Sequence, residues 1–274
     1  MNERIIKNDL KSLLSKFMKD DTVKTFLSKS SFENVKNVSI NDVVDNSYIK
    51  DAKIPSDKIT LSERNIEANG FLTPLIVRKK RQKYELIIGR IPYFASKELK
   101  LKEVPILEVE LSDEESLLLL IAEIRERKIM NFYELSLACY YLKKDFKYKN
   151  KDLASYLNFS ESQISNLLRI INMPDEVKVD ISYGKLSYGH AKAISRLEKE
   201  DIIRLKEEIY AKNLSVRDVE KIVRKIKNKD SINEESSLES DEYSITLNFS
   251  TTKDKDKALK LIKRMIWWKR INIK

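Results

Sequence analysis

The sequence is poor in the residues that build metal clusters, disulfide frameworks and phosphate-binding glycine loops. One cysteine and one histidine exclude an internal disulfide and leave too few ligands for a Cys- or His-based metal site. Four glycines and five prolines among 274 residues disfavour a turn-rich all-β fold. No stretch approaches the ~18 apolar residues of a membrane helix, and the N-terminus lacks an apolar signal segment. We therefore expect a cytoplasmic protein with no membrane partner.

Positive charge is what the sequence has in excess. Lysine and arginine number 53 against 43 aspartates and glutamates, which gives a net charge of +10 and a pI near 9.3. Hydrophobic residues make up 42% of the chain, which is enough to build cores beneath a densely charged surface. The length suggests two domains or three small ones. These features favour a helix-rich protein whose partner is a polyanion such as nucleic acid.

The pattern of residues changes along the chain and predicts an α+β protein that is predominantly helical. Residues 35–125 alternate short β-branched runs with helical stretches, as in a small α/β domain. Residues 126–227 repeat apolar positions at helical spacing and predict an all-α domain. Residues 1–34 carry many lysines among spaced apolar residues, which predicts either a packed helix or a mobile basic arm.

The C-terminal part predicts a linker and a dimerisation segment. Residues 228–243 are acidic and serine-rich with almost nothing to bury, so we expect a disordered linker. Residues 244–274 are typical of one strand followed by an amphipathic helix, which is too little to bury a stable core alone. Pairing of two copies would cover the apolar helix face. We therefore predict a homodimer with a strongly positive C-terminal surface.

The stretch NKDLASYLNFSESQISNLLRI, residues 150–170, fits a helix-turn-helix template. Ala154 falls where the two helices touch and a small side chain is needed. Asn158 falls at the corner, where the backbone needs a positive φ that asparagine tolerates. Ser160 followed by Gln163 fits a capping box that starts the second helix. The positions expected to be buried between the helices are Leu153, Leu157, Ile164 and Leu167.

The side chains left outward on the second helix suit a DNA-reading surface. Amides can hydrogen-bond adenine, arginine can bond guanine, and serine can reach bases or phosphates. The alternative interpretation is an ordinary pair of packed helices, because such a template also matches by chance. With Glu161 beside them, the residues expected to contact DNA are Ser160, Ser162, Gln163, Ser165, Asn166 and Arg169.

Several segments in order resemble the ParB family of DNA-partition proteins, over roughly residues 35–225. NIEANGFLTPLIVRK is similar to the family's first box, of the SIxENGLxQPIVVR type, and YELIIGRIPYFASKELK to the second, which contains GERRxRA. AEIRERKIMNFYELSLACYYL resembles the segment ENxQRxxLNPxEEAxAYxxL. The most specific match is GKLSYGHAKAI, which begins at Gly184 and is close to GxLSxGHAKAL.

The resemblance implies an N-terminal domain that binds CTP with Mg²⁺, a helix-turn-helix domain that recognises a palindromic partition site, and a dimerisation domain. It also implies association with the nucleoid and a ParA-type ATPase partner. It makes Glu123 a candidate Mg²⁺ ligand, and it adds Lys185 and Lys192 to the DNA contacts. The nucleotide contacts that it implies are Gly70, Thr73, Pro74, Gly89, Arg90, Glu123 and Arg127.

The sequence departs from the family where the nucleotide phosphates would lie. Matching GERRxRA to residues 89–95 replaces the glutamate and three arginines by Arg90, Ile91, Pro92 and Phe94. The last three side chains cannot make the charge-assisted bonds by which guanidinium groups bind phosphate, so we expect weak or absent CTPase activity.

The function we expect is that of a dimeric, sequence-specific DNA-binding protein that marks a partition site and spreads or bridges from it. The alternatives are a CTP-hydrolysing clamp, a nucleoid-occlusion or transcriptional regulator, and a helical adaptor.

Overall fold

The computed structural model describes residues 35–127 and 130–236. Within them are the strands β1 (Val35–Ser39), β2 (Val43–Val44), β3 (Leu75–Lys80), β4 (Lys83–Ile88) and β5 (Glu103–Glu108). They form one mixed sheet in the order β1-β5-β3-β4-β2. The β1–β5 and β3–β4 pairs are antiparallel, whereas β3–β5 and β2–β4 are parallel.

Two α-helices lie between the strands, and helices joined by short loops make up most of the described chain after the sheet. The sheet region contains α1 (Ser56–Asn69) and α2 (Arg90–Glu98). The later helices are α3 (Asp113–Glu126), α4 (Phe132–Phe146), α5 (Asn150–Leu157), α6 (Glu161–Arg169), α7 (Asp175–Ser182), α8 (Tyr188–Ile194), α9 (Lys199–Lys212) and α10 (Val216–Ser236). This arrangement confirms the predicted fold class, a small sheet domain followed by a helical region.

The alternating side chains of the central strands bury both faces of the sheet. On one face, Leu75 and Val77 of β3 pack with Tyr93 of α2. On the other face, Ile76 of β3 and Ile87 of β4 join a much larger cluster that extends into the helical region. A sheet buried on both faces explains why the strand sequences are nearly continuous apolar runs.

Helix α3 connects the sheet to the helical region. It begins at a capping box, in which the Ser112 hydroxyl accepts from the Glu115 N–H and the Glu115 carboxylate accepts from the Ser112 N–H. Its run Leu117–Ile121 is fully buried, because one side of the helix packs on the sheet and the other on α4. The sheet and the helices therefore share one hydrophobic core, and a domain boundary at residue 125 remains a prediction.

Helix α10 corrects one expectation about the linker. It continues to Ser236, so the prediction of disorder is wrong for residues 228–236. A helix already started on the buried Val219 and Val223 extends at lower cost than a new helix forms, because each further residue adds a hydrogen bond without a new nucleation step. The rest of the predicted linker, the dimerisation segment and residues 1–34 lie outside the described residues.

Candidate nucleic-acid interface

The corner between α5 and α6 has the geometry that the template predicts. Asn158 adopts a left-handed conformation with φ 56° and ψ 42°. Its N–H bonds the carbonyls of Ala154 and Ser155, which ends α5. Ala154 is 6% exposed at the helix contact. The four apolar positions predicted between the helices are all buried: Leu153, Leu157, Ile164 and Leu167.

The first turn of α6 is closed by the predicted capping box. The Gln163 N–H donates to the Ser160 hydroxyl over 3.1 Å, and the Ser160 N–H donates to Oε1 of Gln163 over 2.7 Å. The Gln163 side chain is exposed, and its Nε2 makes no hydrogen bond among the described residues. The capping box therefore occupies the carbonyl oxygen of this amide and leaves its two N–H donors facing solvent.

The residues of α6 and its cap that were predicted to contact DNA fall into two groups, those that are exposed and those that are half-buried or buried. Ser160, Ser162 and Gln163 are exposed. Ser165 is half-buried, and its hydroxyl accepts from Nδ2 of Asn150 over 2.9 Å. The expectation that Asn166 faces outward is wrong, because this side chain is 5% exposed.

Arg169 lies one turn further along α6 than Asn166. The Oδ1 atom of Asn166 accepts a 2.7 Å hydrogen bond from Nη1 of Arg169, whose side chain is half-buried. Asn166 therefore orients the arginine rather than reading a base. Arg169 is the cation that α6 carries, at its last residue.

The GKLSYGHAKAI segment forms the turn before α8 and the whole of α8, and its backbone and packing are constrained at three residues. Gly184 has a φ of 72°, which a residue with a side chain adopts at a cost. The Ser187 hydroxyl caps α8 by accepting from the His190 N–H. A Cβ at Gly189 would lie 2.9 Å from Cγ2 of Val216, so glycine is required for the close approach of α10.

The single histidine has a structural role. Nε2 of His190 lies 3.0 Å from the carbonyl oxygen of Leu214, and this nitrogen must donate because the carbonyl can only accept. The ring therefore ties α8 to the segment before α10. Lys185 and Lys192, which flank the histidine, are exposed and available to phosphates.

The local backbone and packing explain why glycine stands at two positions of the predicted nucleotide site. Gly70 ends α1 with a φ of 69°, and the chain continues through the exposed Thr73 and the half-buried Pro74 into β3. Gly89 has a φ of 105°, and a Cβ there would lie 2.8 Å from Cδ2 of Leu75. The structure therefore brings Gly89 against the start of β3, directly after Pro74.

Arg90 is not available to bind phosphate in this structure. It is 3% exposed, and its guanidinium forms a bidentate pair with Asp45 through two 2.8 Å hydrogen bonds. Its Nη1 donates to Oε1 of Glu134 over 2.6 Å, and Nη2 also donates to the Ala52 carbonyl. Burial opposes the charge, but Asp45 and Glu134 hold the pKa of Arg90 above its ordinary value. The expectation of a phosphate contact at Arg90 is contradicted, because four of its five donors are already used.

Glu123 and Arg127 come together, but they bind each other. Nε and Nη2 of Arg127 donate to the two Glu123 oxygens over 2.8 and 2.5 Å, and Nη1 donates to Oε2 of Glu134. We call the series Asp45–Arg90–Glu134–Arg127–Glu123 the ion-pair chain. It connects the sheet region to the first turn of α4.

The carboxylates of the ion-pair chain do not form a metal site. Burial raises the pKa of Glu123, and Arg127 opposes that rise. Both Glu123 oxygens are taken by the Arg127 guanidinium, so the expectation that Glu123 holds Mg²⁺ is not supported. Within residues 35–127 and 130–236, no group of three or more Asp, Glu, His or Cys side chains is arranged to hold a metal ion.

The cavity beside the ion-pair chain is small. It has a volume of about 40 Å³ and is lined by Lys53, Arg90, Arg127, Glu134 and Ser182, among others. This space suits a few water molecules and not a nucleoside triphosphate. The residues at this place therefore do not fit CTP with Mg²⁺ in the described conformation.

Sequence reasoning missed the two carboxylates that engage the arginines, Asp45 and Glu134. Asp45 follows β2 in a segment without a recognisable motif. Glu134 stood in a segment already matched to the family pattern, at the position of the first glutamate in NPxEEA, and could have been noticed there. Its pairing with Arg90 joins residues far apart in sequence, so no local pattern indicates it.

The fold and the α5–α6 geometry define a helix-turn-helix protein whose second helix presents free polar side chains. The model of the ParB N-terminal domain matches residues 25–124, and the model of the ParB HTH domain matches residues 128–228. The chain therefore belongs to the ParB family.

Individual relatives support the same assignment. The chain is 34% identical over 168 residues to a probable chromosome-partitioning protein ParB of Campylobacter jejuni, covering 61% of this chain and 60% of the relative. It thus spans about 60% of the length of that relative.

Two solved structures from Caulobacter crescentus are also similar to this chain. A C-terminally truncated ParB complexed to the centromeric parS site is 25% identical, with a TM-score of 0.41, and the match covers 69% of this chain and 99% of that one. The same protein complexed with CTP-gamma-S is 26% identical, with a TM-score of 0.33, and the match covers 64% of this chain and 98% of that one.

Among the described residues, no helix is both long and apolar enough to cross a membrane.

Proposed function

We propose that this chain is a sequence-specific DNA-binding protein that recognises a partition site and acts in chromosome or plasmid segregation. The observation that supports this most directly is the first turn of α6, where a fixed capping box holds exposed polar side chains on a helix seated by the α5–α6 core. A helix of this kind can enter the major groove with its N-terminal residues at the base edges.

The placed side chains suggest a division of roles at the DNA. The free Nε2 donors of Gln163 suit an acceptor on a base edge, such as guanine O6 or thymine O4, because Oε1 is engaged in the cap. Arg169 is oriented by Asn166 and suits guanine or a phosphate. Lys185 and Lys192 are exposed cations for the phosphate backbone, whose contacts dominate affinity without reading sequence.

The larger biological role rests on the family. Relatives are described as chromosome-partitioning proteins, and one is described as complexed to a centromeric parS site. We extend this to a homodimer formed through residues 244–274, which binds a palindromic site, spreads or bridges to neighbouring DNA and works with a ParA-type ATPase. A promoter-bound regulator on the same scaffold would occupy scattered sites in cells, whereas a partition protein would occupy long tracts around one locus.

DNA titration tests the proposal. The full chain is titrated against a duplex carrying the parS site of the Caulobacter crescentus complex and against a shuffled duplex of equal length. It is also used to select sites from a random duplex pool. We expect preference for one sequence of at least about 10³-fold and affinity that falls steeply between ~50 and ~200 mM salt. Equal affinity for every duplex, with no site selected from the pool, would contradict the proposal.

We further infer that CTP binding is weak or absent. The inference is supported by the engagement of Arg90 with Asp45 and Glu134, and by the Ile91, Pro92 and Phe94 side chains that follow it. Releasing Arg90 for a triphosphate would take this partner from the half-buried Asp45 and leave the buried Glu134 with Arg127 alone. Titration of labelled CTP with Mg²⁺, with and without the selected duplex, measures the affinity. Micromolar binding accompanied by phosphate release would contradict the inference and favour the CTP-hydrolysing clamp.

A further inference from the structure

An aromatic pair lies between the first turn of α4 and α6, the helix proposed to contact bases, which we call the reading helix. The rings of Phe132 and Tyr188 are stacked, with centroids 4.4 Å apart and planes inclined by 14°. The Tyr188 hydroxyl donates a 3.2 Å hydrogen bond to the main-chain carbonyl of Gln163. Both rings are half-buried, so neither is simply part of the closed core.

The acceptor of this hydrogen bond is unusual in its position. Carbonyl oxygens inside a helix accept from the N–H four residues later, and they retain a second lone pair. Tyr188 uses that second position at Gln163, the residue whose side chain closes the capping box and faces solvent. A hydroxyl from α8 therefore fixes α6 at the residue best placed to reach a base.

The other ring of the stack belongs to a segment with its own fixed position. Phe132 is the first residue of α4, after the N-cap Asn131. Two residues later on the same turn, Glu134 binds both Arg90 and Arg127. The first turn of α4 thus carries the centre of the ion-pair chain and the ring against which Tyr188 packs.

The quoted family patterns do not specify an aromatic residue at either position. Phe132 stands where the quoted segment ENxQRxxLNPxEEA has proline, and Tyr188 stands at the unspecified position of GxLSxGHAKAL. Proline and an arbitrary side chain do not form an aromatic stack. The link from α4 to α6 therefore comes from a pairing that the family patterns do not specify.

We propose that Phe132 and Tyr188 are positioning residues for base recognition, which set the placement of α6 from the first turn of α4. The proposal rests on the proposed function, since it concerns how the same DNA-reading helix is held. Tyr188 acts on DNA through Gln163, and Phe132 acts through Tyr188. A purely structural stack would affect the stability of the fold but would leave the preference for one sequence unchanged.

The test measures affinity for the duplex selected by the wild-type protein and for a shuffled duplex, together with the thermal unfolding midpoint. Tyr188→Phe keeps the ring and removes only the hydroxyl. We expect it to weaken binding to the selected duplex by about three- to tenfold, the range of one hydrogen bond. Binding to the shuffled duplex and the salt dependence should be unchanged, because the phosphate contacts remain.

Two further variants separate the hydroxyl from the stack. Phe132→Leu removes the stacking partner and should weaken selected-duplex binding by a similar factor of about two- to tenfold. The double variant with Tyr188→Phe should show less than the product of the two losses, because the residues act through one path. Tyr210→Phe is the matched control, since it removes a hydroxyl that hydrogen-bonds Asp180 on α7. It should change neither affinity.

The outcomes distinguish failure of this proposal from failure of the proposed function. If the wild-type protein selects no sequence, the DNA-recognition function fails. If the wild-type protein discriminates and Tyr188→Phe discriminates equally well, the positioning role is overturned. It is likewise overturned if both duplexes lose affinity by the same factor while the unfolding midpoint falls, because that is the behaviour of a structural contact.

Discussion

The reading helix and the ion-pair chain lie in the same protein, and both are rich in polar side chains, but they use them in opposite ways. On α6, Ser162 and Gln163 face solvent with donors unused. In the ion-pair chain, Arg90 and Glu134 are each about as buried as core leucines and are engaged with each other. Free polar groups at a helix N-terminus can bind a partner, whereas buried and paired groups hold the protein together.

This difference shows how a family motif can keep its residues and change their use. Gly89, Glu123 and Arg127 match the family pattern. The surrounding carboxylates, however, pair with the guanidinium groups of both Arg90 and Arg127. The helix-turn-helix matches its template at Ala154, Asn158 and four buried apolar positions, and the outer face of its second helix remains exposed. The following variants test this contrast, in order of decreasing effect.

The largest effect is expected from Glu134→Ala. It removes the carboxylate that Arg90 and Arg127 share and leaves a buried guanidinium short of a partner. We expect the free energy of unfolding to fall by about 3–5 kcal/mol, measured by urea denaturation. Asp175→Ala is the control, because its pair with Lys178 lies on the surface and should leave stability unchanged. Equal effects of the two variants would show that the ion-pair chain has no special structural role.

The next effect concerns the reading helix. Arg169→Ala, or Gln163→Ala, should cost about 1–3 kcal/mol of binding free energy on the selected duplex and little on a shuffled one. Neither change removes a side chain from the hydrophobic core, so the free energy of unfolding should change little. Arg64→Ala on the exposed face of α1 is the control and should alter neither affinity. Fluorescence anisotropy with both duplexes measures the ratio, and an equal loss on both would refute base readout by these residues.

A smaller effect is expected from pH through Glu85. Burial opposes its charge, yet hydrogen bonds from Ser47, Arg78 and Lys80 hold the pKa of Glu85 below the usual 4.5. The stability it contributes is therefore present above about pH 4.5 and is lost as the pH falls through the lower folded-state pKa. Glu85→Gln should flatten the loss of stability in acid, measured by urea midpoints from about pH 3 to about pH 7.

Glu123 provides the opposite sign for comparison. Burial raises its pKa, so its contribution is present below the ordinary value and is lost as the pH rises through the folded-state pKa. Glu123→Gln should consequently leave the acid-induced loss of stability in place. If this variant flattened the acid limb as Glu85→Gln does, the assignment of the two carboxylates would be wrong.

The smallest effect is expected at Glu161, an exposed carboxylate on the first turn of α6. Its charge favours the helix dipole but repels DNA phosphates. Glu161→Gln should strengthen binding to the shuffled duplex by about twofold at low salt, and the gain should vanish at high salt as the charge is screened. Glu67→Gln on α1 is the matched surface control. A gain that persists at high salt would point to a direct base contact instead.

The sequence predicted the local elements well because their signals are local. The capping box at Ser160 and the left-handed conformation of Asn158 each depend on residues within about one turn, and both are confirmed. The linker prediction partly failed for the converse reason. Helix α10 continues past residue 228 from contacts made earlier along the helix, which the composition of the following segment does not report.

The predictions of site residues also succeeded where the signal was local and failed where it depended on distant packing. Helical periodicity placed Gln163 and Ser162 on the outer face of α6, but it also placed Asn166 there. Whether a polar residue at the edge of that face is exposed depends on the packing of neighbouring helices and on the pairing with Arg169. The stack of Phe132 with Tyr188 has no sequence signal, because the two residues lie in separate segments at positions where the family patterns specify no aromatic residue.

By itself the sequence determined the order of strands and helices, the turn of the helix-turn-helix and the family, since each follows from the periodicity or identity of residues close along the chain. Only the tertiary structure decided which charges are free, because an arginine is equally cationic in the sequence whether it faces a phosphate or a carboxylate. Arg90 meets Asp45 and Glu134 from distant segments, and the cost of leaving a buried charge unpaired keeps it there.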